Sequence, residues 1–388
     1  MSQKTAARPK PEEAETAFGP GDAGAGGLLT IDLAALAANY RDLAARARPA
    51  ECAAVVKADA YGIGVEPATA ALAQAGCRTF FVALLDEALK VRTVAADAAV
   101  YVLNGLNTGT ADAFREIDAR PVLGSMPEID EWDAAARAAK EPLPAAIHID
   151  TGMSRHGLSA DEANALAGRL KSLAFKPALV MSHLARADEA DQPMTARQIS
   201  DFKTLAAKFP GLPASLANSA GLLAHPDARF DLVRPGISLY GGRALIEGDN
   251  PMKAVVRLDV KVVQVRSGKA GDTVGYGGEF KLLRDSRLAV ISAGYADGIP
   301  RASGSTNEKK GIEAVIAGKR CPVLGRISMD LMVIDVTDLP AGAIKRGDLG
   351  TLLGDGISVD DLAAPSGTVG YEILTRLGSR YRRTYIGA

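Results

Sequence analysis

The chain has little with which to cross a membrane, attract a polyanion or hold a metal. Its three cysteines, Cys52, Cys77 and Cys321, lie far apart in 388 residues. They lack metal-type spacing, and an odd number argues against a disulfide framework. A reducing cytoplasm is the expected setting. No stretch approaches the run of about 18 apolar residues that a membrane span requires, and no apolar h-region marks an export signal. Forty-five basic residues against 46 acidic ones leave a formal net charge of −1 and a pI near 6.5. No global field therefore favours nucleic acid or an anionic membrane, and a small neutral or zwitterionic partner fits better.

What is present, 47% apolar and 23% charged residues, is the composition of a soluble globular protein. The length exceeds one ordinary core, so two domains are the default, with one large barrel as the competing arrangement. Residues 1–27 mix charge, proline and glycine with almost nothing large and apolar, and are read as a disordered tail. From Asp32, suited to an N-cap, Leu33, Leu36, Tyr40 and Leu43 share one helical face. Eight short apolar runs follow, at 52–57, 80–85, 99–103, 120–124, 145–150, 178–182, 214–218 and 232–236. Helix-like segments such as EPATAALAQAG and TARQISDFKTLAAKF separate them. Eight strand–helix units predict an α/β fold with a TIM (β/α)8 barrel over 28–248, an open doubly wound sheet being the alternative. From 249 to 388 the texture is β-branched and broken by glycine turns, which predicts a smaller, mainly β domain. The run LLTID (28–32) is surplus to the barrel and is a candidate to pair with that domain.

Lys57 closes the first apolar run, just before ADAYGIG. In the barrel reading this is the C-terminal mouth of a strand, where catalytic groups gather. A lone lysine there is ordinarily a snorkelling strand cap. Partly desolvated, it can attack a carbonyl and form a Schiff base, the usual anchor of pyridoxal phosphate. Tyr61 offers a hydroxyl four residues on. Ser219 in ANSAG and the Gly236 and Ile237 amides in VRPGISLYG lie at the mouths of the last two strands, a frequent phosphate site in such barrels.

AVVKADAYGIG, HIDTGMSRHG, SHLA, ANSAG, LVRPGISLYG, VGYGG, GYADGIPR, GRISMD and GYEILTRL occur in order. In order and spacing they resemble bacterial alanine racemase of fold-type III, from about Leu28 to Arg383. The resemblance implies that Lys57 carries pyridoxal phosphate and serves as the base for the D-enantiomer. Tyr276 would serve as the base for the L-enantiomer, with His183 and Arg234 lined up behind it. Arg234 would also face the pyridine nitrogen and, since a guanidinium practically never gives up its proton, keep that nitrogen unprotonated. Tyr61, Ser219, Gly236, Ile237 and Tyr371 would hold the phosphate. Arg155 and the Met329 amide would bind the substrate carboxylate, and Tyr295 with Tyr371 would narrow the entrance. In that family the tyrosine reaches the lysine of a partner subunit, so a homodimer with composite sites is expected. No metal enters the scheme.

Two positions depart from the family pattern. Ile63 stands where histidine is usual. His148 stands where many members carry a lysine whose carbamate supports the substrate-binding arginine, so Arg155 must be oriented differently here. A structural strand histidine with a satisfied ring is an equally good reading of His148. Serine or broad-specificity racemisation is the nearest alternative activity, because a pocket differing by one methylene discriminates by only about 1–3 kcal/mol. A non-catalytic pyridoxal-phosphate-binding protein is the alternative from another class, disfavoured by the β segment that carries Tyr276 and Met329. A related decarboxylase is disfavoured by Arg234.

Overall fold

The computed structural model describes residues 24–189 and 191–387. Most of the tail read over 1–27 thus lies outside the described residues.

Seven parallel strands form one sheet in chain order: Ala54–Val55, Thr79–Val82, Ala99–Val102, Ala119–Leu123, Pro144–His148, Lys176–Met181 and Ala214–Ser215. An eighth, Leu232–Val233, pairs with Glu51–Cys52. Backbone bonds from Asp231 N to Ala214 O (3.0 Å) and from Arg234 N to Ala217 O (2.9 Å) tie it to the seventh strand. Ala53 N to Val233 O (2.9 Å) and Val55 N to Pro235 O (3.1 Å) tie it to the first, so the sheet closes into a barrel. The strands are buried on both faces, which is why they read as continuous apolar runs rather than alternating ones. The intervening helices include Val65–Gln74, Leu85–Val94, Met126–Ala139, Ala160–Arg169 and Pro193–Ala206. The helix Leu33–Ala47 is capped by Asp32, whose side chain accepts from Ala35 N at 2.8 Å.

A second, eight-stranded sheet is antiparallel apart from one pair. Its order is Ser286–Ile291, Met332–Asp335, Lys319–Leu324, Glu313–Ile316, Leu349–Leu353, Val256–Gly268, Gly27–Asp32 and Arg382–Ile386. Val256–Gly268 also pairs with Ser286–Ile291, so this sheet curls back on itself. Gly27–Asp32 lies against Val256–Gly268 and runs parallel to Arg382–Ile386, outside the barrel. One continuous apolar core runs from the barrel into this sheet. Two short helices interrupt the β segment, Val359–Ala363 and Gly370–Arg376, and the second carries Tyr371 back to the barrel mouth.

Candidate active site

The chain does something unusual immediately after Lys57. Ala58, Asp59, Ala60 and Tyr61 all have φ between 52° and 55°, one complete left-handed turn built from L-residues. Each such residue costs roughly 1–2 kcal/mol, so tertiary contacts must hold the turn. Glu87 accepts from Ala58 N at 2.6 Å through one oxygen and from Ala83 N at 2.8 Å through the other. Asp59 accepts from Val65 N at 2.9 Å and so fastens the turn to the next helix. The result projects Lys57 and Tyr61 into one cavity of about 910 Å³ at the barrel mouth.

Arg155, His183, Ser219, Arg234, Gly236, Ile237 and Tyr371 line the same cavity. Ser219 Oγ accepts from Gly236 N at 2.9 Å. A Cβ on Gly236 would lie 2.2 Å from Tyr61 Oη, so any side chain there would displace the Tyr61 hydroxyl. The Tyr61 and Ser219 hydroxyls are thereby crowded beside Gly236 in a cradle that a side chain would fill, and Ser219, accepting from the Gly236 amide, keeps its own proton to donate, an arrangement suited to a phosphate. Tyr61 is held between Tyr240, stacked at 4.5 Å, and Tyr371, tilted at 5.9 Å.

Across the cavity Arg234 is 3% exposed. Its guanidinium donates to Ser182 O at 2.6 Å, to Ser215 Oγ, and to His183 Nδ1 at 3.3 Å. Because a guanidinium only donates, His183 Nδ1 must accept, and the neutral ring carries its proton on Nε2. Burial, then Arg234, hold the His183 pKa well below the usual imidazole value. Burial lowers Arg234 itself to about 9, which leaves it charged at neutral pH. Burial also lowers the Lys57 pKa, assisted by Arg155 and opposed by Glu87, which favours the free amine.

Arg155 sits on a loop organised by Asp150, whose carboxylate accepts from Gly152 N and Met153 N at 2.9 Å each and from Ser154 N at 3.1 Å. Asp150 N to Leu158 O and Leu158 N to His148 O, both 2.8 Å, close its base. His148 is 7% exposed, packs edge-on against His156 at 5.2 Å, and has no hydrogen-bond partner for Nδ1 among the described residues. Its ring is therefore not satisfied by protein groups alone. Ile63 is fully buried and outside the cavity lining.

Tyr276, Met329 and Tyr295 do not line the Lys57 cavity of their own chain. Tyr276 is 68% exposed at the tip of the hairpin Thr273–Val274/Phe280–Lys281, where Arg326 pairs with Glu279 beside it. Met329, 51% exposed, and Tyr295 belong to adjoining turns joined by Tyr295 N to Ser328 O and Ala296 N to Met329 O, both 3.0 Å. Sequence reasoning missed Glu87, Asp150 and His156. Glu87 and Asp150 act through backbone amides, a role that carries no motif, whereas His156 adjoins Arg155 and its position was a usable signal.

The family model for the alanine racemase N-terminal domain matches residues 31–244, and that for the C-terminal domain matches 255–385. An alanine racemase of Methylobacterium sp. (strain 4-46) is 53% identical over 361 residues, covering 93% of this chain and 98% of that protein. A catabolic and a biosynthetic alanine racemase of Agrobacterium fabrum are 46% and 45% identical, covering 94% and 93% of this chain and 93% and 94% of those proteins. The crystal structure of alanine racemase from Bartonella henselae with covalently bound pyridoxal phosphate superposes with a TM-score of 0.87 at 39% identity, covering 93% of this chain and all of that one.

Proposed function

The chain belongs to the alanine racemase family and is a pyridoxal-phosphate-dependent isomerase of alanine; from that premise we propose a two-base reaction that uses Lys57 of one protomer and Tyr276 of its partner. The observation that carries this reading is the joint presence of a desolvated lysine, the Tyr61–Ser219–Gly236 cradle and Arg234 in one cavity.

Lys57 would anchor the cofactor, and Tyr61, Ser219, Gly236, Ile237 and Tyr371 would hold its phosphate. When bound, pyridoxal phosphate supplies an electron sink that makes the α-proton of an amino acid removable. Lys57 then exchanges the α-proton of the D-enantiomer from one face, and Tyr276 that of the L-enantiomer from the other. Racemisation requires this opposition, because a single base would return the proton to the side it came from. Arg234 would face the cofactor's ring nitrogen as a donor that keeps its proton at neutral pH, which would weaken the sink and favour prompt return of the α-proton over side reactions. Arg155 would clamp the substrate carboxylate with its fork, aided by the Met329 amide, and Tyr295 with Tyr371 would narrow the entrance.

The exposed Tyr276, outside its own chain's cavity, supports a homodimer with composite sites. Action in the cytoplasm, supplying D-alanine for peptidoglycan, accords with three buried free cysteines. Purified protein should carry a visible cofactor absorbance that Lys57→Ala abolishes, and should remove the optical rotation of L-alanine faster than that of L-serine. Bound cofactor without racemisation would overturn the reading in favour of a binding protein, and faster turnover of serine would reassign the substrate.

A further inference from the structure

We propose that Arg383 and Tyr385 are positioning residues for Lys57, forming a brace from the C-terminal strand that holds the left-handed turn in place. This rests on the assignment of Lys57 above. Arg383 Nη1 donates to Gly62 O at 2.6 Å and Tyr385 Oη donates to Ile63 O at 2.8 Å. The two acceptors are consecutive carbonyls at the exit of the turn. The two donors are alternate residues of Arg382–Ile386, paired with Leu29 and Ile31 of the neighbouring strand. Alternate residues of a strand project to one face, so a single face of this strand supplies both bonds.

The carbonyls need outside donors for a local reason. The helix Val65–Gln74 begins its ladder with Ala68 N donating to Gly64 O at 3.2 Å, so Ile63 O, one residue before that cap, lies outside the helical hydrogen bonds. Tyr385 fills the position. At the entrance of the turn Glu87 holds Ala58 N, and from within it Asp59 reaches forward to Val65 N of the next helix. The strained segment is therefore pinned at its start by the barrel and at its end by the β sheet. Arg383 also donates to Leu377 O at 3.2 Å, just past the helix that carries Tyr371. One side chain thus links the turn bearing Lys57 and Tyr61 to the element bearing Tyr371 of the same cavity.

Without the brace the turn can relax toward ordinary backbone and carry Lys57 and Tyr61 off their shared cavity. Proton exchange, which depends on where the amine stands, should suffer more than substrate binding, which relies on Arg155 on another loop. The test uses the full chain as Arg383→Ala, Arg383→Lys, Tyr385→Phe and the double variant Arg383→Ala/Tyr385→Phe. Hydrogen–deuterium exchange of residues 57–65 in cofactor-free protein should quicken in the double variant while the barrel strands keep their protection. With cofactor restored, kcat for L-alanine should fall about tenfold and KM should stay within about twofold. Lysine at 383 should recover most of the loss. Unchanged exchange at 57–65, or a kcat loss matched by a general fall in the thermal midpoint, would overturn the brace. The exchange arm needs no cofactor, so a quickened turn in a protein whose Lys57→Ala variant still holds cofactor would overturn the assignment of Lys57 and not the brace.

Discussion

Burial, then the nearby Arg155, lower the pKa of Lys57 against the pull of Glu87, so the lysine that closes an apolar run is shifted toward its amine form. His148 is shaped by the same physics with a different outcome. Burial, helped by His156, Arg234 and Arg155, lowers its pKa to about 3. Below the ordinary imidazole value of 6.5 the unfolded chain takes up a proton that the native ring refuses until about pH 3. The unfolded state then binds more protons, and stability is lost as pH falls across that window, by up to about 1.4 kcal/mol per pH unit for each such histidine. His183 contributes in the same direction. His148→Gln should therefore show a shallower loss of urea midpoint between about pH 6.5 and pH 4 than the unmodified protein. Parallel profiles would contradict a neutral, buried His148. The sequence identified His148 as a departure from the family pattern. The position of His156 beside Arg155 was a usable signal of a site residue, but its edge-on contact with His148 depends on rotamers that the sequence does not specify.

Among the elements, strands were legible from β-branched runs and helices from apolar spacing, whereas the left-handed turn was not. Ala58, Asp59, Ala60 and Tyr61 carry no glycine to announce positive φ, and the conformation is imposed by Glu87 and by the C-terminal strand. The turns that carry Tyr295 and Met329 depend on a different constraint. A Cβ on Gly294 would lie 2.3 Å from both Ser328 O and Met329 O. Gly294→Ala must push these turns apart, at a cost typical of overpacking, about 1–3 kcal/mol. The variant should retain cofactor absorbance, since the Lys57 cavity is elsewhere in the chain, while KM for L-alanine rises. An unchanged KM would separate Met329 from carboxylate binding. Comparison of denaturation curves with kinetics makes the distinction.

At the scale of the whole molecule, Lys57 lines a cavity that Tyr276 of the same chain does not reach, and Tyr276 stands exposed on a separate hairpin, which is the arrangement the proposed composite site requires. Mixing inactive Lys57→Ala and Tyr276→Phe proteins should restore activity, because half of the sites in a mixed dimer pair an intact lysine with an intact tyrosine. Failure of recovery after proven subunit exchange would refute the composite site. Dilution should likewise lower specific activity where it separates protomers, with cofactor retained. The sequence by itself determined the fold class, through its alternation of apolar runs and helix-like segments, and pointed to the cofactor and the family through the resemblance carried by its ordered motifs. Only the tertiary structure decided that Lys57 opens a strained turn, that Gly236 and Tyr61 share one cradle, and that Tyr276 lies outside the cavity of its own lysine. Those outcomes depend on contacts between residues tens to hundreds of positions apart, and no local pattern along a chain encodes which distant groups will meet.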